Sequence, residues 1–373
     1  MVMKLCHFSD SHLGAGENHR RRAPSGLTER QEDIIAGFTQ AVDRIVEIRP
    51  DVVIHSGDLF HNVRPINSIM TRAGRQLHRL AVEHGIPTII ITGNHDAPRQ
   101  PHIGAATEVF GSIDNLHIAA AGRLERFRLG ETSFHALPHC LTTAALKEQL
   151  SQCLPDETAR YNVLIMHGVA AGMPEFSMAD LGEQELPLDV MERFDYTALG
   201  HYHNFCRVGP RVWYAGSTER LSQSEREAPK GFVTVDLEPF QVSFVSVQTR
   251  AMVDLDEIDA SGKRGDQLAD ILREKLDEVG SGDKIVRVKI ANVSSETLKT
   301  LPAGVLAELK QKAYSLDVRF EKSVSEAEPS RFGRAAIGRL DQSFVQFIES
   351  SDLEGFDKAR LIKEALQYLS AEA

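Results

Sequence analysis

Cysteine is scarce in this chain: Cys6, Cys140, Cys153 and Cys206 are the only four, widely separated and with no CxxC pair. A disulfide framework or a structural zinc site needs closely paired thiols, so four ordinary reduced residues are expected. Long apolar runs are missing too. None approaches the roughly 18 residues that span a bilayer. The opening MVMKLCHFSDSHLG turns polar too soon for a signal peptide, which makes a cytoplasmic protein with no membrane attachment the expectation. Nor is there an excess of positive charge. A formal net charge of -11 argues against gripping nucleic acid over the whole surface, while leaving room for a local basic channel. Internal repeats and low-complexity tracts are also lacking.

What is present suffices for a sizeable globular chain. With 373 residues, 42% of them hydrophobic, the sequence can bury at least one substantial core and form two or three folding units. Over residues 1–245, short apolar runs alternate with helical patterns, the signature of a layered α/β domain. Leu5 to Ser9, Asp51 to His55, Pro87 to Thr92, Tyr161 to Met166 and Tyr196 to Leu199 read as strands, and His, Asp, Asn or Gly follows each at once. Ile34, Phe38, Ala41, Ile45 and Ile48 recur at three- and four-residue spacing and predict a core-facing helix. Val52, Val53 and Ile54 do not alternate with polar residues, which places their strand at the centre of a sheet covered on both faces.

From about residue 250 to 325 the texture changes to a smaller α/β unit without metal-ligand clusters. Leu268, Ile271, Leu272 and Leu276 predict a helix, Gly280-Ser281-Gly282 a turn, and Val286, Val288 and Ile290 a half-buried strand. Val305, Leu306 and Leu309 then predict a second helix, and Leu316, Val318 and Phe320 a second one-sided strand. Residues 335–373 carry two short amphipathic segments, one with Phe344, Phe347 and Ile348, the other with Phe356, Ile362, Leu366 and Leu369. Such stripes dock either on their own protein or on a partner.

Polar chemistry collects at the strand ends in five clusters: Asp10-Ser11-His12, Gly57-Asp58-Leu59-Phe60-His61, Gly93-Asn94-His95-Asp96, His167-Gly168 and Gly200-His201-Tyr202-His203. Carboxylate, imidazole and amide-oxygen donors without thiolate describe a site for manganese, iron or zinc. A single DxH is weak evidence, since a lone histidine is more often a surface or core residue than a ligand. Five clusters in this order leave only coincidence as the competing explanation. The candidate ligands are Asp10, His12, Asp58, Asn94, His167, His201 and His203. Asp58, with two carboxylate oxygens, is the natural bridge between two ions. His95 is the candidate general acid, with Asp96 expected to orient its imidazole, to cap the turn before Pro98, or both. His61 is expected to touch substrate or to steady the site. Arg20 to Arg22 offer phosphate contacts or a solvated loop, and the remaining histidines read as structural or solvated.

The strings HFSDSHLG, PDVVIHSGDLFHNVRP, GNHDAP and WYAGSTERLSQSEREAPKGFVTVDL carry a resemblance over roughly residues 1 to 240. They resemble the calcineurin-like metallophosphoesterase superfamily, and within it the DNA-repair branch of SbcD nucleases and their meiotic-recombination counterparts. The resemblance implies a layered β-sandwich flanked by helices, with a small α/β capping domain at 250–325 and a C-terminal helical tail. It implies manganese-dependent exonuclease and endonuclease action on DNA, one ion on Asp10, His12, Asp58 and His203, and the other on Asp58, Asn94, His167 and His201. His95 matches the family's catalytic histidine. The implied partners are DNA, an SbcC-like SMC-type coiled-coil ATPase bound through the tail, and a second copy of the chain. After Gly216-Ser217 the family continues with Arg and an aromatic before an acidic residue, whereas here Arg220 is followed by Leu221, Ser222, Gln223, Ser224 and Glu225. The competing expectation is a phosphatase or nucleotide phosphodiesterase with the same metals.

Overall fold

The unbroken apolar strands of the first unit are explained by the layers that cover them on both sides. The computed structural model describes residues 3–172 and 185–322 with a few isolated positions beyond, and the chain divides into two units, Met1–Val253 and Asp254–Ala373. The first begins β1 (Lys4–Phe8), α1 (Glu29–Ile48), β2 (Val52–His55), α2 (Asn67–His78), β3 (Thr88–Ile91) and β4 (Leu116–Ala119). It continues with β5 (Glu125–Leu129), β6 (Thr132–Leu137), α3 (Thr143–Ser151), β7 (Tyr161–His167), β8 (Val169–Ala170), β9 (Glu185–Leu186), α4 (Leu188–Met191) and β10 (Tyr196–Gly200). β11 (Cys206–Gly209), β12 (Val212–Tyr214), β13 (Gly231–Leu237) and β14 (Phe240–Ser246) complete it, and β15 (Met252–Asp254) leads onward.

Two six-stranded sheets result, ordered β14-β13-β1-β2-β3-β4 and β11-β12-β10-β7-β6-β5. β1 to β4 are parallel, as are β6, β7, β10 and β12, so their C-terminal ends share an edge within each sheet. Successive side chains in a strand point to opposite faces. Leu5, Val52, Ile54, Val163 and Ile165 thus pack between the sheets, with Phe134, Tyr196 and Ala198. Their neighbours Cys6, Phe8 and Val53 turn outward onto Ile34, Phe38 and Ile45 of α1 and onto Ile69 and Leu77 of α2. Leu164, Met166 and Leu199 do the same on the second sheet, against Leu146 of α3 and Val190 and Met191 of α4. The layers run helix, sheet, sheet, helix, which is the sandwich expected from the sequence. β1 and β2 occupy the two inner places of their sheet.

The predicted first helix starts where its capping residue stands. Thr28 Oγ1 accepts the Gln31 amide and Gln31 Oε1 accepts the Thr28 amide, both at 3.0 Å, a closed capping box before a first turn that holds Glu29 and Glu32. α1 ends at Arg49, whose φ of 52° leaves the helical region just before Pro50.

In the second unit, β16 (Ile258–Asp259), α5 (Gly265–Glu278), β17 (Ile285–Val293), α6 (Ser295–Lys299), α7 (Val305–Lys312) and β18 (Ser315–Lys322) follow in order. β17 pairs in parallel with both β16 and β18. Val286, Val288 and Ile290 pack against Leu268, Leu272 and Leu276 of α5 and Val305 and Leu309 of α7. The alternating positions carry charge: Arg287 pairs with Asp254 at 2.6 Å, and Lys289 with Glu257 and Glu321 at 2.8 and 2.9 Å. The amphipathic tail expected over 335–373 lies outside the described residues apart from isolated positions. Among the described residues no helix is long and apolar enough to cross a membrane. The four cysteines are free thiols, three of them buried.

Ile54 lies between the sheets with no exposed surface, at the end of the strand that leads to Asp58. Ile54→Ala is expected to lower unfolding free energy by about 2–5 kcal/mol, read as a lower urea midpoint with an unchanged slope. A midpoint equal to wild type would contradict this packing.

Candidate metal centre

The loops that leave β1 and β2 are zipped together by backbone hydrogen bonds. Asp10 N donates to Gly57 O at 3.0 Å, His12 N to Asp58 O at 3.0 Å and Leu13 N to Leu59 O at 2.9 Å. Four of the candidate residues take left-handed backbone angles: Asp10 at φ 50°, His12 at 42°, Asp58 at 54° and His201 at 105°. Non-glycine residues in this region cost about 1–3 kcal/mol each and persist where surrounding structure enforces them, which is most often at functional sites.

All seven candidate ligands join one chain of contacts. His203 Nε2 is 4.0 Å from Asp10 Oδ1 and 3.2 Å from His12 Nε2. His12 Nε2 is 3.5 Å from Asp58 Oδ2, which is 3.4 Å from His167 Nε2. His167 Nε2 is in turn 2.9 Å from Asn94 Oδ1, and Asn94 Oδ1 is 3.2 Å from His201 Nδ1. Asp10, Asp58, His12 and His167 are buried, whereas Asn94 and His95 are exposed, so the cluster has a closed floor and an open mouth.

Burial opposes ionisation of Asp58, but the neighbouring His167 and His12 outweigh it and hold the carboxyl well below the ordinary carboxylate range. Burial likewise works against a charged His167, and the Asp58 and Asp10 carboxylates overcome it, raising that imidazole to about 9. For His12 burial wins, helped by His203 and His95 against Asp58, and its pKa falls well below the usual value.

Three glycines make room at the floor. A Cβ at Gly93 would lie 2.2 Å from Asp58 Oδ1, one at Gly57 2.3 Å from His167 Nδ1, and one at Gly200 2.2 Å from Ser56 O and 2.8 Å from His167 Nδ1. These residues suit divalent cations. The donors are oxygen and imidazole, and two trios, Asp10-His12-His203 and Asp10-Asp58-His167, each hold their ligand atoms within 4.8 Å of one another.

A family model described as calcineurin-like phosphoesterase matches residues 3–205, more than half of the chain. The chain belongs to the calcineurin-like phosphoesterase family. Among similar proteins, the DNA double-strand break repair protein Mre11 of Sulfolobus acidocaldarius is 27% identical over 268 residues, 68% of this chain and 66% of that protein. The protein of the same name from Sulfurisphaera tokodaii is 30% identical over 231 residues, 60% of this chain and 56% of that one. The chain thus spans less than two thirds of the length of these relatives. A dimetal phosphatase from Danio rerio superposes with a TM-score of 0.37 at 11% identity, covering 63% of this chain and 92% of its own.

The other residues expected at this phosphoesterase site fall differently. His61 and His95 join it: their rings stack with centroids 5.1 Å apart, and His61 Nδ1 is 3.3 Å from His12 Nδ1. Asp96 does not orient His95. Its carboxylate accepts the amides of Gly93, Leu59 and Phe60 at 2.7, 2.9 and 3.3 Å, fully buried, and it clamps the two loops together. Burial and the nearby Asp58 push its pKa up to about 8. His95 instead donates from Nδ1 to the His61 carbonyl at 3.1 Å. Of the three Asp96 bonds, the one to Gly93 lies within the turn before Pro98 and the other two reach the loop that follows β2.

Sequence reasoning passed over Ser56, whose carbonyl accepts from His167 Nδ1 at 2.9 Å, and Glu225, whose Oε1 lies 3.1 Å from His203 Nδ1. His7 is structural, held between Tyr196 Oη and Ser56 Oγ at 2.8 Å each.

Gly200→Ala forces a methyl into the Ser56 carbonyl and the His167 ring. Affinity for a divalent cation is expected to fall by roughly 10–100-fold, measured by calorimetric titration. Wild-type affinity would mean that the floor of the site has slack that the packing denies.

Proposed function

We propose that the chain is a manganese-dependent DNA phosphodiesterase with two cations held around Asp58, a nuclease subunit working in double-strand break repair. What carries the reading is the Asp58 carboxylate, with one oxygen within 3.5 Å of imidazole nitrogens from two different histidine groups. Asp10, His12 and His203 would hold one cation with Asp58, and Asn94, His167 and His201 the other. When bound, the pair supplies charge for the phosphoryl oxygens and a water nucleophile at neutral pH.

The chain's own groups do the rest. His167 donates a hydrogen bond from Nδ1 to the Ser56 carbonyl, which leaves Nε2 facing Asp58 and Asn94. His95 donates a hydrogen bond from Nδ1 to the His61 carbonyl, and the proton that moves to the leaving oxygen as the P–O bond breaks comes from Nε2 of the doubly protonated ring. The imidazole that remains is neutral and keeps its bond to His61. No covalent intermediate is required.

The substrate assignment draws support from the named relatives and from a cleft of about 690 Å³ beside the centre, lined by His61, Asn94, His95 and the exposed Arg64 and Arg99. Guanidiniums beside a hydrolytic site suit a polyanionic backbone. Residues 250–325 are proposed to shape the DNA surface, and residues 335–373 to dock an SbcC-like SMC-type ATPase. A second copy of the chain completes the assembly.

His95→Ala is expected to reduce manganese-dependent cleavage of labelled linear DNA by about 10²–10⁴-fold with manganese binding unchanged. Rapid turnover of small phosphomonoesters or cyclic nucleotides with intact DNA would overturn the nuclease reading in favour of a phosphatase or nucleotide phosphodiesterase. Deleting residues 335–373 should abolish co-purification with the ATPase. Unchanged co-purification would remove the tail from the proposal.

A further inference from the structure

Lys230 is a lysine with 1% of its surface exposed, and a buried ammonium persists only when every donor is matched. Its three partners account for all three protons: Glu225 Oε2 at 2.5 Å, the His203 carbonyl at 2.8 Å and Ser217 Oγ at 3.0 Å. The other Glu225 oxygen, Oε1, accepts from His203 Nδ1 at 3.1 Å. His203 is therefore gripped twice, at its ring by Glu225 and at its backbone by Lys230. The Ser217 amide also donates to the His203 carbonyl at 3.0 Å.

The ordinary explanation for Glu225 is local. It closes a capping box with Ser222, accepting Ser222 N at 3.1 Å and Ser222 Oγ at 2.9 Å at the head of a one-turn helix, Gln223–Glu225. A capping box works equally with Glu or Gln and needs no lysine beneath it. The carboxylate here reaches past the box to an imidazole, and a buried cation fixes it there. A carboxylate can only accept, so in the neutral ring His203 Nδ1 carries the proton and Nε2 is the nitrogen left for a cation, on the side of His12 and Asp10.

We infer that Glu225, clamped by Lys230, is a positioning residue that sets the tautomer and ring orientation of His203 for divalent-cation binding. The inference rests on the reading of His203 as a ligand and extends it to residues outside the seven. It also gives the stretch after Gly216-Ser217, where the sequence departs from the family pattern, a defined task at the site.

The test is a calorimetric manganese titration of the full chain with no DNA present, comparing wild type with Glu225→Gln and with Glu225→Gln/Lys230→Met, which removes both buried charges together. Glu225→Gln preserves the capping box, so the thermal midpoint of the metal-free protein should stay close to wild type. Two sites are expected in wild type, and in both variants one of them should weaken roughly tenfold or more while the other holds. Nitrogen NMR of the histidine rings should show His203 bare at Nε2 in wild type and mixed between tautomers in Glu225→Gln. Wild-type affinity at both sites in the variants would reduce Glu225 to a cap and overturn the inference. Loss of folded protein in both variants would also overturn it, by making the pair a determinant of the fold. A wild-type chain that binds no manganese would sink the centre itself and the clamp with it.

Discussion

Asp58 Oδ2 lies 3.5 Å from His12 Nε2 and 3.4 Å from His167 Nε2, and a carboxylate with 1% exposure has to be stabilised from both directions to stay ionised. Much of the surrounding structure meets that demand. The parallel order of β1, β2 and β3 delivers Asp10, His12, Asp58 and Asn94 from strand ends on one sheet edge. β7 and β10 bring His167 and His201 from the other sheet. Glycines at 57, 93 and 200 are needed because side chains from two sheets meet with no space for a Cβ. The left-handed angles at Asp10, His12, Asp58 and His201 are a cost the loops carry in order to turn these side chains inward.

The burial of this edge has a second consequence. Polar groups buried near this edge cannot rely on water, and several are matched within the protein. Asp96 accepts three loop amides, the Ser56 carbonyl accepts a hydrogen bond from the His167 ring, and Lys230 donates to Glu225, Ser217 and the His203 backbone. Positioning is thereby spread over several residues whose side chains never face the open cleft.

How much of this could be read from the chain follows from what each residue depends on. The five site-bearing strands were legible as short apolar runs followed at once by His, Asp, Asn or Gly, and α1 because Ile34, Phe38, Ala41 and Ile45 keep helical spacing. The convergence of the seven residues was legible because Gly, Asp, His and Asn recur where those strands stop. The Asp96–His95 pairing was misread because adjacency in sequence does not make side chains meet. The Gly93 amide of its own turn and the Leu59 and Phe60 amides of the facing loop hold the Asp96 carboxyl instead. Glu225 and Lys230 left no periodic signal, since they sit in an irregular stretch and act on His203 from 22 and 27 residues away. The pairing of β1 with β13, Leu5 against Val235, is equally invisible to local pattern, because it depends on the whole sandwich closing.

The central claim is that two cations share Asp58. Anomalous diffraction from manganese-soaked crystals, recorded on either side of the manganese absorption edge, tests it most directly. Two peaks are expected, both within bonding distance of an Asp58 carboxylate oxygen, one beside His12 and His203 and the other beside His167 and His201. A single peak, or two peaks of which only one touches Asp58, would contradict it.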